Sequence, residues 1–330
     1  MNVLVTGASG FLGRHILASL TAEATHAVTG LCRRPIQITE PGVTAVGADL
    51  TQPGSLAGRF DGIDAVIHSA GSVSHDPRNA RAMYEAHVLA TEHVLAEARA
   101  AGVKRLVFVS TSGTVAVSAK PVVLDETAGS PLAVVAGWPY YRSKLFAEQA
   151  VLAAGGEGLD VVVLNPSLLL GPSSRGSTPS ASAGDAVLLP LLRGELPMAP
   201  SGGVSFVDVR DVAAQCVRAL RHGHPNRRYL LSSANWTFAD FYGRAARIAG
   251  VRPPSLRAPS LGSKLLSFLP RAAHERLPAP SIELEMVGHT WWADSARAAA
   301  ELGWVPREPL DTLSEAVLAA QHTLSGQLAG

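Results

Sequence analysis

The chain has 330 residues, of which 47% are hydrophobic and 17% charged, with a formal net charge of +1. That composition supplies a sizeable core and excludes wholesale disorder, and the near-zero charge gives no one-signed field for nucleic acid or an anionic membrane. Two cysteines, Cys32 and Cys216, are too few and too far apart for a disulfide framework or a zinc site, so no metal is expected.

The opening Met1-Asn2-Val3-Leu4-Val5-Thr6 has no basic n-region or cleavage site, so no signal peptide is expected. The apolar run Val3-Leu4-Val5, cut by Thr6-Gly7, predicts a buried strand, and 11–20 predicts a helix. Further strands are expected at 28–32, around 43–46, at 65–67, at 106–109 and at 161–164. Helical periodicity runs over 78–101 up to Gly102, and again over 140–154 with Pro139 near its start. Strands alternating with helices predict an α/β, Rossmann-type doubly wound parallel sheet. After Asn165 the character changes: 166–200 is rich in Gly, Pro and Ser, with a short apolar piece at 187–192. Sheet-like and helical signals return at 204–220 and 229–231, before prolines dominate 251–280. A dinucleotide-binding domain over 1–165, rejoined by 204–233, is therefore expected. A smaller, interleaved substrate-binding part would consist of 166–203 and 234–330. The apolar stretch 261–269 is too short to span a bilayer and is interrupted by Lys264. A soluble, cytoplasmic protein without a membrane span is the expectation.

Thr6-Gly7-Ala8-Ser9-Gly10-Phe11-Leu12-Gly13 links the first strand to the first helix. Glycines at 7, 10 and 13 allow a tight turn, a close backbone approach to a pyrophosphate and close helix–strand packing. NAD calls for an acidic residue at the end of the second strand, to bind the ribose 2′-hydroxyl. This chain has Cys32-Arg33-Arg34, and a guanidinium can pair with a 2′-phosphate. NADP(H) is thus favoured, with NAD(H) as the alternative. Asp49 and Leu50, past the third strand, are placed to contact the adenine.

Tyr140 and Lys144 lie four residues apart, on one face of the predicted helix. The chain has only four lysines, and chance would supply this spacing about 0.06 times. An ammonium beside a phenol favours the phenolate, which suits proton exchange near neutral pH.

Together these motifs resemble an extended short-chain dehydrogenase/reductase, over essentially the whole chain. Thr6 to Gly13 matches that family's TGxxGxxG loop, Ala48-Asp49-Leu50 its adenine-contacting segment, and His68-Ser69-Ala70-Gly71 the turn after its fourth strand. Ser110-Thr111-Ser112 matches the catalytic Ser/Thr site and Tyr140 to Lys144 the YxxxK. Asn165-Pro166-Ser167, Gly171-Pro172, Phe206 to Ala213 and Leu302-Gly303-Trp304-Val305-Pro306 match later landmarks. The likeness is greatest to the dihydroflavonol-reductase-like branch, with its 3β-hydroxysteroid dehydrogenase-like and hopanoid-associated sugar epimerase members.

The resemblance implies a mechanism. Tyr140 exchanges a proton with the reacting oxygen, while Lys144 lowers the Tyr140 pKa and holds the nicotinamide ribose. Thr111 or Ser112 orients the same oxygen. The cofactor set it implies is Gly7, Ser9, Gly10, Phe11, Leu12, Gly13, Arg33, Arg34, Asp49, Leu50, Ser69, Ala70, Gly71, Tyr140, Lys144, Pro166 and Ser167. Tyr141, with no lysine four residues on, reads as packing. The family's NVxGT asparagine is His87 here, either a proton relay or a space-filler, and its glycine is Ala90. Relatives of this kind often dimerise through helices flanking the site.

The second half bears on the small-molecule substrate. The approach Pro200-Ser201-Gly202-Gly203-Val204-Ser205 lacks the arginine that nucleotide-sugar relatives commonly carry, although Arg175 and Arg193 leave an anionic group open. With 261–269 and Trp291-Trp292, it favours a largely apolar ketone, aldehyde or alcohol. The leading expectation is an NADP(H)-dependent oxidoreductase. A nucleotide-sugar epimerase or dehydratase, and a non-catalytic dinucleotide-binding protein, are the alternatives.

Overall fold

The computed structural model describes residues 1–156, 158–173, 183–257 and 285–328. The first half alternates strand and helix. It runs through β1 (Asn2–Thr6), α1 (Phe11–Ala22), β2 (Ala27–Cys32), β3 (Val43–Gly47), β4 (Ala65–His68), α2 (Ala80–Tyr84), α3 (Ala90–Ala100) and β5 (Arg105–Val109). After α4 (Leu132–Val135), α5 (Pro139–Ala154) leads to β6 (Asp160–Pro166). The second half comprises β7 (Leu168–Leu170), α6 (Ala183–Leu192), β8 (Met198–Ala199), β9 (Gly203–Asp208) and α7 (Val209–Arg218). It continues with β10 (Arg227–Leu231), β11 (Ala234–Thr237), α8 (Phe238–Ala249), β12 (Leu256–Arg257), α9 (Ala296–Leu302) and α10 (Pro309–Leu328).

Seven parallel strands form the main sheet in the order β10-β6-β5-β4-β1-β2-β3. The apolar runs read from the sequence are buried on both faces. Val3 and Val5 enter one core and Leu4 the other, and Val107 and Val109 are likewise separated from Leu106 and Phe108. That is the pattern of a parallel sheet covered by helices on both sides. The strand order reverses between β1 and β4, so a crevice opens at the carboxyl ends of these strands, where open α/β sheets bind ligands.

Of the returning segment, α7 packs against α1 and β10 completes the main sheet beside β6. β9 instead pairs with β7 and β11 in a three-stranded sheet. Helices α6, α8 and α10 cover that sheet around Phe206, Phe241 and Leu313. The apolar piece at 187–192 lies in α6, while 261–269 and Arg175 fall outside the described residues.

The stretch read as one helix over 78–101 contains a π turn at Glu85–Leu89, between α2 and α3. Such turns mark functional positions in helices, and this one carries His87.

Candidate active site

A cleft of about 500 Å³ lies at the switch point. Its floor is backbone. Gly7 adopts φ +70°, and a Cβ there would stand 2.7 Å from the Ala70 backbone. At Gly13 a Cβ would stand 2.1 Å from the Gly7 carbonyl oxygen, so α1 rests directly on the loop before it. Ser9, Gly10, Phe11 and Leu12 bring the amino end of α1 to the cleft, the feature that receives phosphate in dinucleotide folds. A cradle that added methyl groups would fill fits the pyrophosphate of NAD(P).

The other walls come from the ends of neighbouring strands. Arg33 lines the cleft and is exposed, whereas Arg34 lies outside the lining. Asp49 and Leu50 line it after β3, and Ser69, Ala70 and Gly71 after β4. The Asp49 carboxyl is held below its usual range, first by the Thr51 backbone N–H, then by the Thr51 hydroxyl, with Arg33 adding a smaller pull. Arg14 was not singled out by sequence reasoning, yet it also lines the cleft. Its buried guanidinium donates to the Ser9 carbonyl at 3.3 Å and the Gln37 carbonyl at 2.5 Å, and pairs with Glu40 at 3.2 Å. An arginine directly after the last loop glycine was the available signal.

The residues expected to react gather around the end of β5. Tyr140, half-buried on α5, has the Thr111 side chain acting on its phenol, while Thr111 Oγ1 accepts from the Gly113 N–H at 3.3 Å. Its phenol is pushed up to about 12 by burial, with the Thr111 hydroxyl pulling the other way. Lys144, expected to lower this pKa, is not among the groups that act on the phenol here. The lysine Nζ donates to the Val109 carbonyl at 2.6 Å and sits 4.4 Å from the centroid of the Phe108 ring. Burial pulls the amine itself down to about 8, with Glu148 acting in the opposite sense. Ser112 is buried in the turn Ser112–Thr114, and its carbonyl accepts from the Val115 N–H at 2.9 Å. Pro166 ends β6, and Ser167 donates its N–H and its hydroxyl to the Leu231 carbonyl, at 3.0 and 3.1 Å. Both lie outside the cleft lining.

His87 is held at both ring nitrogens. Nε2 accepts from the Ser72 N–H at 3.3 Å, which leaves Nδ1–H to donate to Ser143 Oγ at 2.8 Å. Ser143 Oγ donates in turn to the Tyr140 carbonyl at 2.8 Å. Burial, the Lys144 charge and His68 bring the His87 pKa down to about 3 against the pull of the Ser72 bond. This imidazole is thus a neutral brace between the loop after β4 and helix α5. His68, similarly down at about 3 through burial and then Lys144, bridges Thr6 Oγ1 (2.6 Å) and Thr91 Oγ1 (3.0 Å).

Tyr141 lies among aromatic rings, with centroids 4.8 Å from Trp291, 4.9 Å from Tyr140 and 6.0 Å from each of Trp138 and His75. A Cβ on Gly113 would meet the Tyr141 ring at 2.3 Å, so the ring fills the notch that this glycine leaves.

Comparison with known proteins decides the family. The model of the NAD dependent epimerase/dehydratase family matches residues 3–232. The chain belongs to that family. Its relatives place it among the extended short-chain dehydrogenases/reductases, as an NAD(P)-dependent oxidoreductase. It is 29% identical to a putative dihydroflavonol 4-reductase of Synechocystis sp., over 96% of this chain and 93% of that protein. It is also 29% identical to the 4-hydroxy-2-methyl-3-oxo-4-farnesyl-3,4-dihydroquinoline-1-oxide ketoreductase of Stigmatella aurantiaca, over 98% and 99% of the two chains. Among solved structures it resembles gox2253, with a TM-score of 0.80 at 28% identity, over 97% of this chain and 98% of that one. Among the described residues of this family member, no helix is long and apolar enough to cross a membrane.

Proposed function

We propose that this family member is an NADP(H)-dependent reductase of a ketone or aldehyde on a largely apolar small molecule, working in reverse on the alcohol. The observation that carries the reading is the meeting of the Thr111 hydroxyl with the Tyr140 phenol just past the end of β5. It pairs a proton donor with a second hydroxyl, at the edge of a cleft built for a dinucleotide.

Gly7, Gly10 and Gly13 would hold the pyrophosphate, Asp49 and Leu50 would flank the adenine, and Arg33 would meet the 2′-phosphate. The bound nicotinamide supplies hydride to the carbonyl carbon or takes it from the alcohol. In reduction, Tyr140 Oη gives its proton to the carbonyl oxygen, and the Thr111 hydroxyl orients that oxygen. A phenol held near 12 keeps its proton at neutral pH, which suits it to the acid role. Lys144 steadies the end of β5 through Val109 and brings positive charge to the site.

Two features support an apolar substrate. Tyr141, backed by the buried Trp138 and Trp291, sets an aromatic ring beside Tyr140. The approach to β9, Ser201 to Ser205, carries no charge. The Stigmatella relative is named for a ketoreductase acting on a farnesylated ring system, which agrees with this class.

A panel of ketones graded in size and polarity, assayed for NADPH consumption, tests the reading. Turnover should rise with apolar and aromatic character. Turnover confined to nucleotide sugars would refute it.

A further inference from the structure

Glu148 lies one helical turn beyond Lys144 and two beyond Tyr140, on the same face of α5. It is 1% exposed. Its Oε2 accepts from Ser110 Oγ at 2.5 Å, Thr114 Oγ1 at 2.6 Å and Asn165 Nδ2 at 2.7 Å. Three donors on one oxygen, at the lengths of charge-assisted bonds, describe an ionised carboxylate. Oε1 faces an Arg228 guanidinium nitrogen at 3.3 Å without forming an aligned hydrogen bond.

Burying a carboxylate carries a desolvation penalty of several kcal/mol. Elsewhere this helix buries Ala147 and Val151 without charge. The partners show what Glu148 holds. Ser110 directly follows β5 and precedes Thr111. The Thr114 hydroxyl lies 2.8 Å from the Thr111 carbonyl, and Asn165 Nδ2 also reaches that carbonyl at 3.2 Å. The turn that presents the Thr111 hydroxyl is therefore tied to Glu148 on both sides of that residue.

Lys144 is the second beneficiary. The titratable groups around it are Tyr140 and Glu148 on its own helix, His68 on β4 and His87 in the π turn, with Arg228 on β10 behind Glu148. Both histidines are neutral, so Glu148 is the anion acting on the buried ammonium among the described residues.

We propose that Glu148 is a positioning residue for both partners of Tyr140: it supplies the counter-charge of Lys144 and anchors the turn that carries Thr111. The inference rests on the reading of Tyr140, Thr111 and Lys144 as the reacting groups.

The test begins with the titration of Lys144, which needs no turnover, so it can fail independently of the proposed activity. The chain has four lysines. In full-length protein labelled at lysine Cε, the Lys144 signal is identified by its loss in Lys144→Arg and followed by NMR against pH. Glu148→Gln should lower its midpoint by about one unit or more, and Glu148→Asp should restore part of the shift. Arg228→Gln, which unmasks the carboxylate, should raise the midpoint. That variant carries the test alone should Glu148→Gln not fold. With an apolar ketone and NADPH, kcat of Glu148→Gln should fall by about tenfold or more at constant NADPH Kd, as expected when an orienting hydroxyl is misplaced. A Lys144 midpoint that stays put in folded Glu148→Gln, or that does not rise in Arg228→Gln, overturns the proposal.

Discussion

The glycine-floored cleft and the proposed catalytic face around Tyr140 are linked through His87 but are built by opposite means. The cleft is shaped by what is missing: at Gly7 and Gly13 a single methyl group would collide with backbone. The catalytic face is shaped by what is present, a buried array of Glu148, Asn165, Thr114 and Lys144 in which the polar atoms support one another. The first should therefore fail when an atom is added and the second when an atom is removed. His87 joins them, with one nitrogen on Ser72 at the cleft edge and the other on Ser143 of the catalytic helix.

The largest effect expected is on the catalytic side. Tyr140→Phe deletes one oxygen and should lower kcat by about 10²–10⁴-fold, while fluorescence titration shows NADPH still binding. Loss of NADPH binding as well would mean that the two regions are not separable. On the cleft side, Gly13→Ala should weaken NADPH by about 5–160-fold, the equivalent of an overpacking cost of about 1–3 kcal/mol. Gly10→Ala, where the nearest backbone oxygen would be 3.2 Å away, should weaken it less. Thr111→Val should lower kcat about tenfold or more while Ser112→Ala changes it little, because Thr111 is the hydroxyl that acts on the phenol and Ser112 is buried in the turn. Equal losses would return the two hydroxyls to parity.

Arg33→Ala should weaken NADPH by about tenfold and NADH hardly at all, a modest figure because the side chain is exposed. Arg34→Ala should do less, since Arg34 lies outside the cleft lining. A separate effect, read on the fold and not on turnover, is on stability against pH. His68 and His87 stay neutral in the fold down to about pH 3, whereas in the unfolded chain they protonate near 6.5. The unfolded state thus binds more protons across that window, and stability should fall as the pH drops from about 6.5 toward 3. Urea midpoints for wild type and His87→Asn would show it as a shallower acid slope in the variant.

The same contrast explains what could be read from the sequence. The parallel sheet and the glycine loop were legible because they depend on local order: apolar runs, glycine spacing, and a strand followed directly by a helix. Tyr140 and Lys144 were legible as a spacing, but the direction of the lysine was not. Nothing in the chain order reveals that Val109 and Phe108 would take the ammonium and leave the phenol to burial. Glu148 and Asn165 are 17 residues apart and meet only once β6 lies beside β5. The π turn at His87 replaced an expected continuous helix because helical periodicity cannot register one extra residue in a turn. Arg14 looked like an ordinary helix residue until its guanidinium was found bridging the loop to Gln37 and Glu40.

The central claim is net carbonyl reduction at Tyr140. Its most direct test is the ratio of NADPH oxidised to alcohol formed, measured on an apolar ketone with a nucleotide sugar in parallel. A one-to-one ratio on the ketone, with no conversion of the sugar, is the predicted result. Interconversion of the sugar without net consumption of NADPH, and no alcohol from the ketone, would contradict it.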